Sequence, residues 1–370
     1  MSGSGHRSDL PIGDRVARGT LRAVMAVRIG IGLFTGQVPR GSERSWTREY
    51  RETIELVRLA EALGFDSAWV SEHHGASDGY FPSLLVMLAA FAEATSHIRL
   101  GTGVILTPLH DPLRLAEDAA TVDQLSDGRL VVGLGNAWRD EEFRMFGVPI
   151  AERKQRTIET IEVLRRAWTG RRFSFEGEIF RFDQVRVTPP PARTGGPPIL
   201  LGGYADAVLR RAGEMADGYI ADAGDPTGIR DAIRLMDEGA RSVGRDPHAL
   251  TLALMQNVFV TEAGADAWAA VRDGVRHQLG MYDAWDSGAD TPGRDEAPIP
   301  SGDEDADRAA TSTGTADDVA HVLRPTLEAF AHERDVELIV RLHYPGMAFE
   351  SASRAVELFG ERVLPALKGS

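Results

Sequence analysis

Cysteine is absent from the 370-residue chain. Disulfide frameworks, thiolate metal sites, iron–sulfur clusters and cysteine nucleophiles are therefore excluded. Basic charge is also scarce: 41 Lys and Arg stand against 55 Asp and Glu, a formal net charge of -14. Nucleic acid and anionic membranes would meet like charge, so neither is an expected partner. No apolar run approaches the roughly 18 to 20 residues of a membrane span. The first two dozen residues carry arginines but no apolar h-region, so a secretory signal is not expected and the cytoplasm is the default location.

What the chain does have is a 43% hydrophobic content, ample for a large core. Its acid is unevenly placed. Between Ala284 and Ala310 acids outnumber bases eight to two, with several Pro and Gly and no apolar periodicity. Segment 284–312 therefore reads as a solvated insertion, or as a lid that closes over a substrate. Residues 1–26 are polar and Gly-punctuated and read as a flexible N-terminal tail. Residues 27–370 form the folded unit.

From Val27 onward, short apolar runs alternate with runs of helical period, which is the pattern of repeated βα units around a parallel sheet. Strands are expected at Val27–Phe34, Ser67–Ser71, Ile98–Leu106, Arg129–Leu134, Ile199–Gly202, Gly218–Ala221, Leu250–Val260 and Val336–Leu342. Helices should follow each, including Trp46–Leu63, Arg153–Trp168 and Ala263–Gln278. The aromatic-rich Arg172–Arg181 reads as a hairpin around Glu176-Gly177. Eight such units point to an α/β fold, a (β/α)8 TIM barrel with a hairpin insertion and an acidic flexible loop. A doubly wound sheet is disfavoured because no GxGxxG follows the first strand.

In such a barrel the site lies at the carboxyl ends of the strands. Glu72-His73-His74 at the second strand offers a histidine suited to proton transfer near neutral pH, or histidines that cap a strand. Side chains alternate along a strand, so these three do not all face one ion, and no metal is expected. Gly202-Gly203-Tyr204-Ala205 opens a helix, and either cradles a phosphate or makes a tight turn. The glycines of Leu100–Leu106 mark either a flat ring lying on the strand or close packing of the barrel interior. Trp138, Phe143 and Phe146 read as packing residues.

These stretches match a known pattern. Trp69–Gly75 (WVSEHHG), Ile98–Arg114 (IRLGTGVILTPLHDPLR), Ala116–Leu134, Glu141–Pro149 (EEFRMFGVP), Ala216–Tyr219 and Tyr344–Met347, in this order, resemble the bacterial luciferase-like flavin monooxygenases across nearly all of Val27–Leu367. The resemblance implies a reduced flavin mononucleotide (FMN), supplied by a separate flavin reductase, that reacts with O2. A C4a-hydroperoxide then oxygenates a small organic substrate. It implies His73 as the proton-transfer residue, with Glu72 and His74 orienting or polarising. It also places the ring against Thr102, Gly103 and Val104, where a non-proline cis peptide is expected. Gly202, Gly203, Tyr204 and Ala205 join the cofactor site. The luciferase arginine after the fourth strand aligns with Asn136, with Arg139 as a candidate replacement contact. Phe34, Met255, Gln256, Asn257, His343 and Tyr344 are expected around the substrate, and a homodimer is carried over. One branch of the family uses a deazaflavin coenzyme for hydride transfer, which is the alternative reading. A non-catalytic flavin-binding paralogue is a further one, disfavoured by the intact Glu72-His73-His74.

Overall fold

A computed structural model of the protein describes residues 25–222, 226–287 and 302–369. Nearly all of the expected tail lies outside them. Eight parallel strands close into a barrel: β1 (Val27–Phe34), β2 (Ser67–Val70), β3 (Arg99–Thr102, continued by Ile105–Leu106), β4 (Leu130–Gly135), β5 (Ile199–Gly202), β6 (Gly218–Asp222), β7 (Thr251–Val260) and β8 (Val336–Arg341). Each strand pairs with its neighbour in sequence, and β8 returns to β1 in the register Val27 to Val336. Around them run α1 (Trp46–Ala62), α2 (Leu84–Ala94), α3 (Pro112–Leu125), α4 (Asp140–Phe146), α5 (Arg153–Ala167), α6 (Asp206–Met215), α7 (Pro226–Ser242), α8 (Ala267–Asp286), α9 (Glu304–Ala309), α10 (Ala316–Phe330) and α11 (Phe349–Leu358). The expected (β/α)8 barrel is the observed fold.

A barrel strand is covered by helices outside and side chains inside, which is why these strands read as unbroken apolar runs. Leu33, Trp69, Val131, Leu200, Ile220, Ala253 and Ile339 fill the interior. Trp69 is fully buried there, its indole N–H donating to Ser67 Oγ at 2.8 Å. Glycine makes room for it: a Cβ on Gly101 would come within 2.2 Å of the indole ring. Below this layer Arg99 and Glu337 form an ion pair at 2.7 Å, closing the amino-terminal end of the barrel. On the outside α6 and α7 approach most closely at glycines, where a Cβ on Gly213 would meet the Met236 carbonyl oxygen at 1.9 Å.

The structure departs from the sequence reading in several elements. The third strand is interrupted at Gly103–Val104, where the expected cis peptide lies, and a second cis peptide joins Gly32 and Leu33. The hairpin strands are Phe173–Glu176 and Arg181–Val185. Helix α8 runs to Asp286 rather than ending at Gln278, because its buried stripe of Val271, Val275 and Gln278 continues through Met281 and Trp285. The acidic segment is therefore not a loop throughout: α9 and an edge strand, Thr311–Gly314, paired with β7, occupy its end. Residues 288–301 lie outside the described residues.

Candidate functional site

A cavity of about 1100 Å³ opens at the carboxyl ends of the strands. Sites for one small molecule usually span about 300–1,000 Å³, so this one has room for a flat cofactor and a second molecule. Its wall takes Ser71, Glu72 and His73 from the end of β2, Gly103 and Val104 from β3, Asn136, Ala137 and Trp138 from the end of β4, and Gly202 to Ala205 after β5. Asp222, Met255, Gln256, Asn257, Tyr282 and Arg341 complete it.

His73 is buried, and its Nδ1 lies 2.9 Å from Glu142 Oε1 on α4. That same oxygen accepts the backbone N–H of His74 at 2.9 Å and lies 3.4 Å from Arg139 Nη1. An ionised carboxylate only accepts, so Nδ1 carries the proton and the lone pair of the neutral ring sits on Nε2. Trp285, Tyr80 and Tyr282 surround the ring, with centroids 4.6, 4.9 and 5.5 Å away. The Tyr80 and Tyr282 hydroxyls are 3.1 Å apart, and burial pushes the Tyr282 phenol well above its ordinary value. Three aromatic rings therefore pack around His73, which itself stands on the cavity wall.

Glu72 and His74 belong to a different cluster. Strand alternation turns them away from His73, and Glu72 Oε1 meets the Nε2 atoms of His74 and His110, each at 2.8 Å, while Oε2 accepts the Leu106 N–H. Burial pushes the Glu72 carboxyl up, but the charge and hydrogen bond of His110 and the hydrogen bond of His74 outweigh it and hold it at about 2. His110 moves the opposite way: burial lowers it, and Glu72 raises it above its ordinary 6.5 by more. Of the three consecutive residues Glu72, His73 and His74, only Glu72 and His74 face one another. His110 supplies a third ligand atom, so that Glu72, His74 and His110 offer one each within 4.8 Å of one another. Hydrogen bonding occupies all three.

The flat wall opposite is built from backbone. Gly103 and Val104 line it at the cis peptide, whereas Thr102 is buried behind, its hydroxyl exchanging hydrogen bonds with Gly133. Asn136 Oδ1 is buried on this wall without a partner among the described residues. A flavin presents an N–H between two carbonyls on its pyrimidine edge, which suits such an orphaned acceptor. At the start of α6 no side chain caps the first amides, and Gly203 adopts φ +140°, a conformation glycine alone takes readily. Gly202 to Ala205 thus make both the tight turn and a stretch of cavity wall with free amides. The Tyr204 hydroxyl donates to Asp222. The residues present fit a flavin.

Besides Thr102, five expected site residues lie off the cavity wall. Leu33 and not Phe34 faces inward, so Phe34 packs against Phe91 of α2 and against His343. His343 has its Nε2 3.5 Å from Glu49, and Tyr344 is fully buried, its hydroxyl donating to the Val258 and Arg341 carbonyls. His74 meets the Phe146 ring edge to face, with centroids 4.6 Å apart. Arg139 is enclosed by Glu141, Glu142 and the His74 carbonyl, its guanidinium 4.0 Å from the centre of the Trp285 ring. It braces the His73 segment from behind. Sequence reasoning placed Asp222 at a strand end but missed Glu142, Tyr80, Tyr282, Trp285 and Arg341. The available signals were the EEF sequence after the fourth strand and the period of α8.

With this geometry in view, the comparisons with known proteins agree. The family model for luciferase-like monooxygenases matches residues 27–333, and the chain belongs to this family. An F420-dependent glucose-6-phosphate dehydrogenase of Nakamurella multipartita is 31% identical over 339 residues, covering 86% of this chain and 92% of that one. The crystal structure of monooxygenase RslO1 from Streptomyces bottropensis superposes with a TM-score of 0.77 at 28% identity, over 91% of this chain and 99% of its own. A type II Baeyer-Villiger monooxygenase from Pseudomonas putida, in complex with FMN, shares the fold with a TM-score of 0.72 at 20% identity, over 91% and 98% of the two chains. The family includes flavin monooxygenases and deazaflavin-dependent oxidoreductases. Among the described residues no helix is long and apolar enough to cross a membrane.

Proposed function

We propose that the protein is a flavin-dependent monooxygenase that takes reduced FMN from a separate reductase and uses O2 to oxygenate a small organic substrate. The observation that carries this reading is His73, a cavity-wall imidazole whose Nδ1 is held by the buried Glu142 and whose Nε2 is left for proton transfer. The flavin, when bound, supplies the reaction with oxygen. Asn136 holds its pyrimidine edge, the wall at Gly103 and Val104 supports its ring, and the amides of Gly203 to Ala205 receive its phosphate. His73 accepts or returns a proton at Nε2 beside the reacting atoms, while Glu142 stabilises the ring when it is charged. Trp285, Tyr80 and Tyr282 pack around its ring.

The deazaflavin alternative has a relative in its favour, the glucose-6-phosphate dehydrogenase. The FMN reading is supported by the monooxygenase RslO1, which superposes over 91% of this chain with a TM-score of 0.77 at 28% identity. Titration with FMN and with the deazaflavin, side by side, tests this. Tighter binding of FMN, and O2-dependent incorporation of labelled oxygen into a screened ketone, aldehyde or aromatic substrate, is expected. Tighter binding of the deazaflavin with no O2 uptake would sink the proposal. His73→Ala should keep FMN affinity and lose about 10²–10⁴-fold in turnover.

A further inference from the structure

Along β8 alternate side chains point into the barrel. Glu337 pairs with Arg99 at the floor, Ile339 joins the interior layer, and Arg341, two residues on, reaches the cavity wall. Arg341 is 5% exposed, yet its Nε and Nη1 are buried with no hydrogen-bond partner among the described residues. Other buried arginines are held: Arg334 by both oxygens of Asp237, Arg139 by Glu142. Arg341 acts on Tyr80, Tyr282, His343 and Tyr344, and the first three of these also feel the carboxylates of Asp78, Asp222 and Glu49 respectively, none of which hydrogen-bonds Arg341 Nε or Nη1. All three phenols are pushed up and stay neutral, and His343 is pushed down by burial. A buried guanidinium whose N–H groups are unpartnered is costly, and an anion in the cavity that accepts from them relieves that cost.

Two anions compete for it, the cofactor's phosphate and a group on the substrate. Position separates them. Following the strand order, β8 lies three strands from β5, which carries the Gly202–Ala205 amides, and three from β3, which carries the flat wall. Arg341 therefore faces the cofactor wall across the cavity. Leu33, Ile220, Met255 and Ile339 make the floor of the cavity apolar, while Asn257 pairs with Arg341 across the strands.

We propose that Arg341 is the specificity-determining residue for the substrate, and that the substrate is an apolar molecule bearing one oxyanion group, a carboxylate or a sulfonate. This deepens the monooxygenase reading and rests on it for the assignment of the opposite wall to the flavin. Arg341 anchors the oxyanion, so that the apolar body extends across the cavity towards His73 and the reacting atoms.

Calorimetric titration of the full chain, alone and saturated with FMN, with benzoate, benzenesulfonate and the neutral isostere benzamide tests the proposal. One or both anions should bind about tenfold or more tightly than benzamide, and the tighter of the two identifies the group. In Arg341→Met and Arg341→Gln that preference should vanish, in Arg341→Lys part of it should remain, and FMN affinity should be unchanged in all three. Equal binding of anion and amide, or a preference that survives in Arg341→Met, overturns it. So does a tenfold loss of FMN affinity in Arg341→Met, which would hand the arginine to the cofactor. Anion preference in a chain that binds neither FMN nor deazaflavin would uphold the anion site while refuting the flavin reading. Circular dichroism checks folding; if Arg341→Met does not fold, the Lys and Gln variants supply the same comparison.

Discussion

Glu142 is the residue that holds the His73 ring. Its Oε1 fixes the imidazole tautomer, and Arg139 and the His74 amide fix the carboxylate. Glu142→Gln keeps the size and an acceptor oxygen but removes the negative charge that would stabilise the protonated ring, so turnover should fall about 10–100-fold with FMN affinity unchanged; wild-type turnover in that variant would remove Glu142 from the mechanism. The Glu72–His110 pair makes a prediction about pH. Glu72 titrates in the folded protein at about 2, below its ordinary 4.5, so its contribution is complete above pH 4.5 and is lost as pH falls towards 2. His110 titrates above its ordinary 6.5, so its contribution is complete below pH 6.5 and is lost as pH rises through the raised value. His110→Ala should therefore lower the melting temperature most between these limits, and less as pH rises beyond them. A deficit that stays flat from about pH 5 to about pH 9 would contradict the pairing.

The α6–α7 contact is decided at single atoms. Gly213 faces the Met236 carbonyl, and Gly239 faces the Arg210 carbonyl, where a Cβ would stand 2.0 Å away. Gly213→Ala should destabilise by about 1–3 kcal/mol, since overpacking forces the backbones apart. Urea denaturation measures it, and a variant as stable as the parent would show that the helices separate freely. Helix α8 shows how local reading falls short. The sequence that follows it is acidic and Pro- and Gly-rich, but Met281, Tyr282 and Trp285 have a face to bury beside Tyr80 and His73. Burial of that aromatic face overrides the weak local signal.

Across the whole barrel the charge resolves into parts. The acidic insertion holds much of the imbalance, while the cavity wall mixes Glu72, Asp222 and Asp286 with Arg153 and Arg341. FMN binding should stabilise the entire fold, because the cavity spans the ends of strands from most of the barrel. At a ligand concentration about 100-fold above Kd the gain is about 2.7 kcal/mol, visible as a raised melting temperature. A larger shift with the deazaflavin than with FMN at matched concentration would reverse the cofactor preference.

The sequence by itself determined the barrel and its order of elements, because eight buried strands must read as apolar runs and their helices as amphipathic ones. It also located His73, the glycine-rich third strand and the Gly202–Ala205 turn, whose signals are local. It did not determine partners. Glu142 lies 69 residues from His73, and Tyr282 lies 202 from Tyr80. Nor could it settle which of Leu33 and Phe34, or Arg341 and Tyr344, faces the cavity. One residue of phase in a strand moves a side chain from the barrel interior to the helical layer, and only closure of the barrel sets that phase.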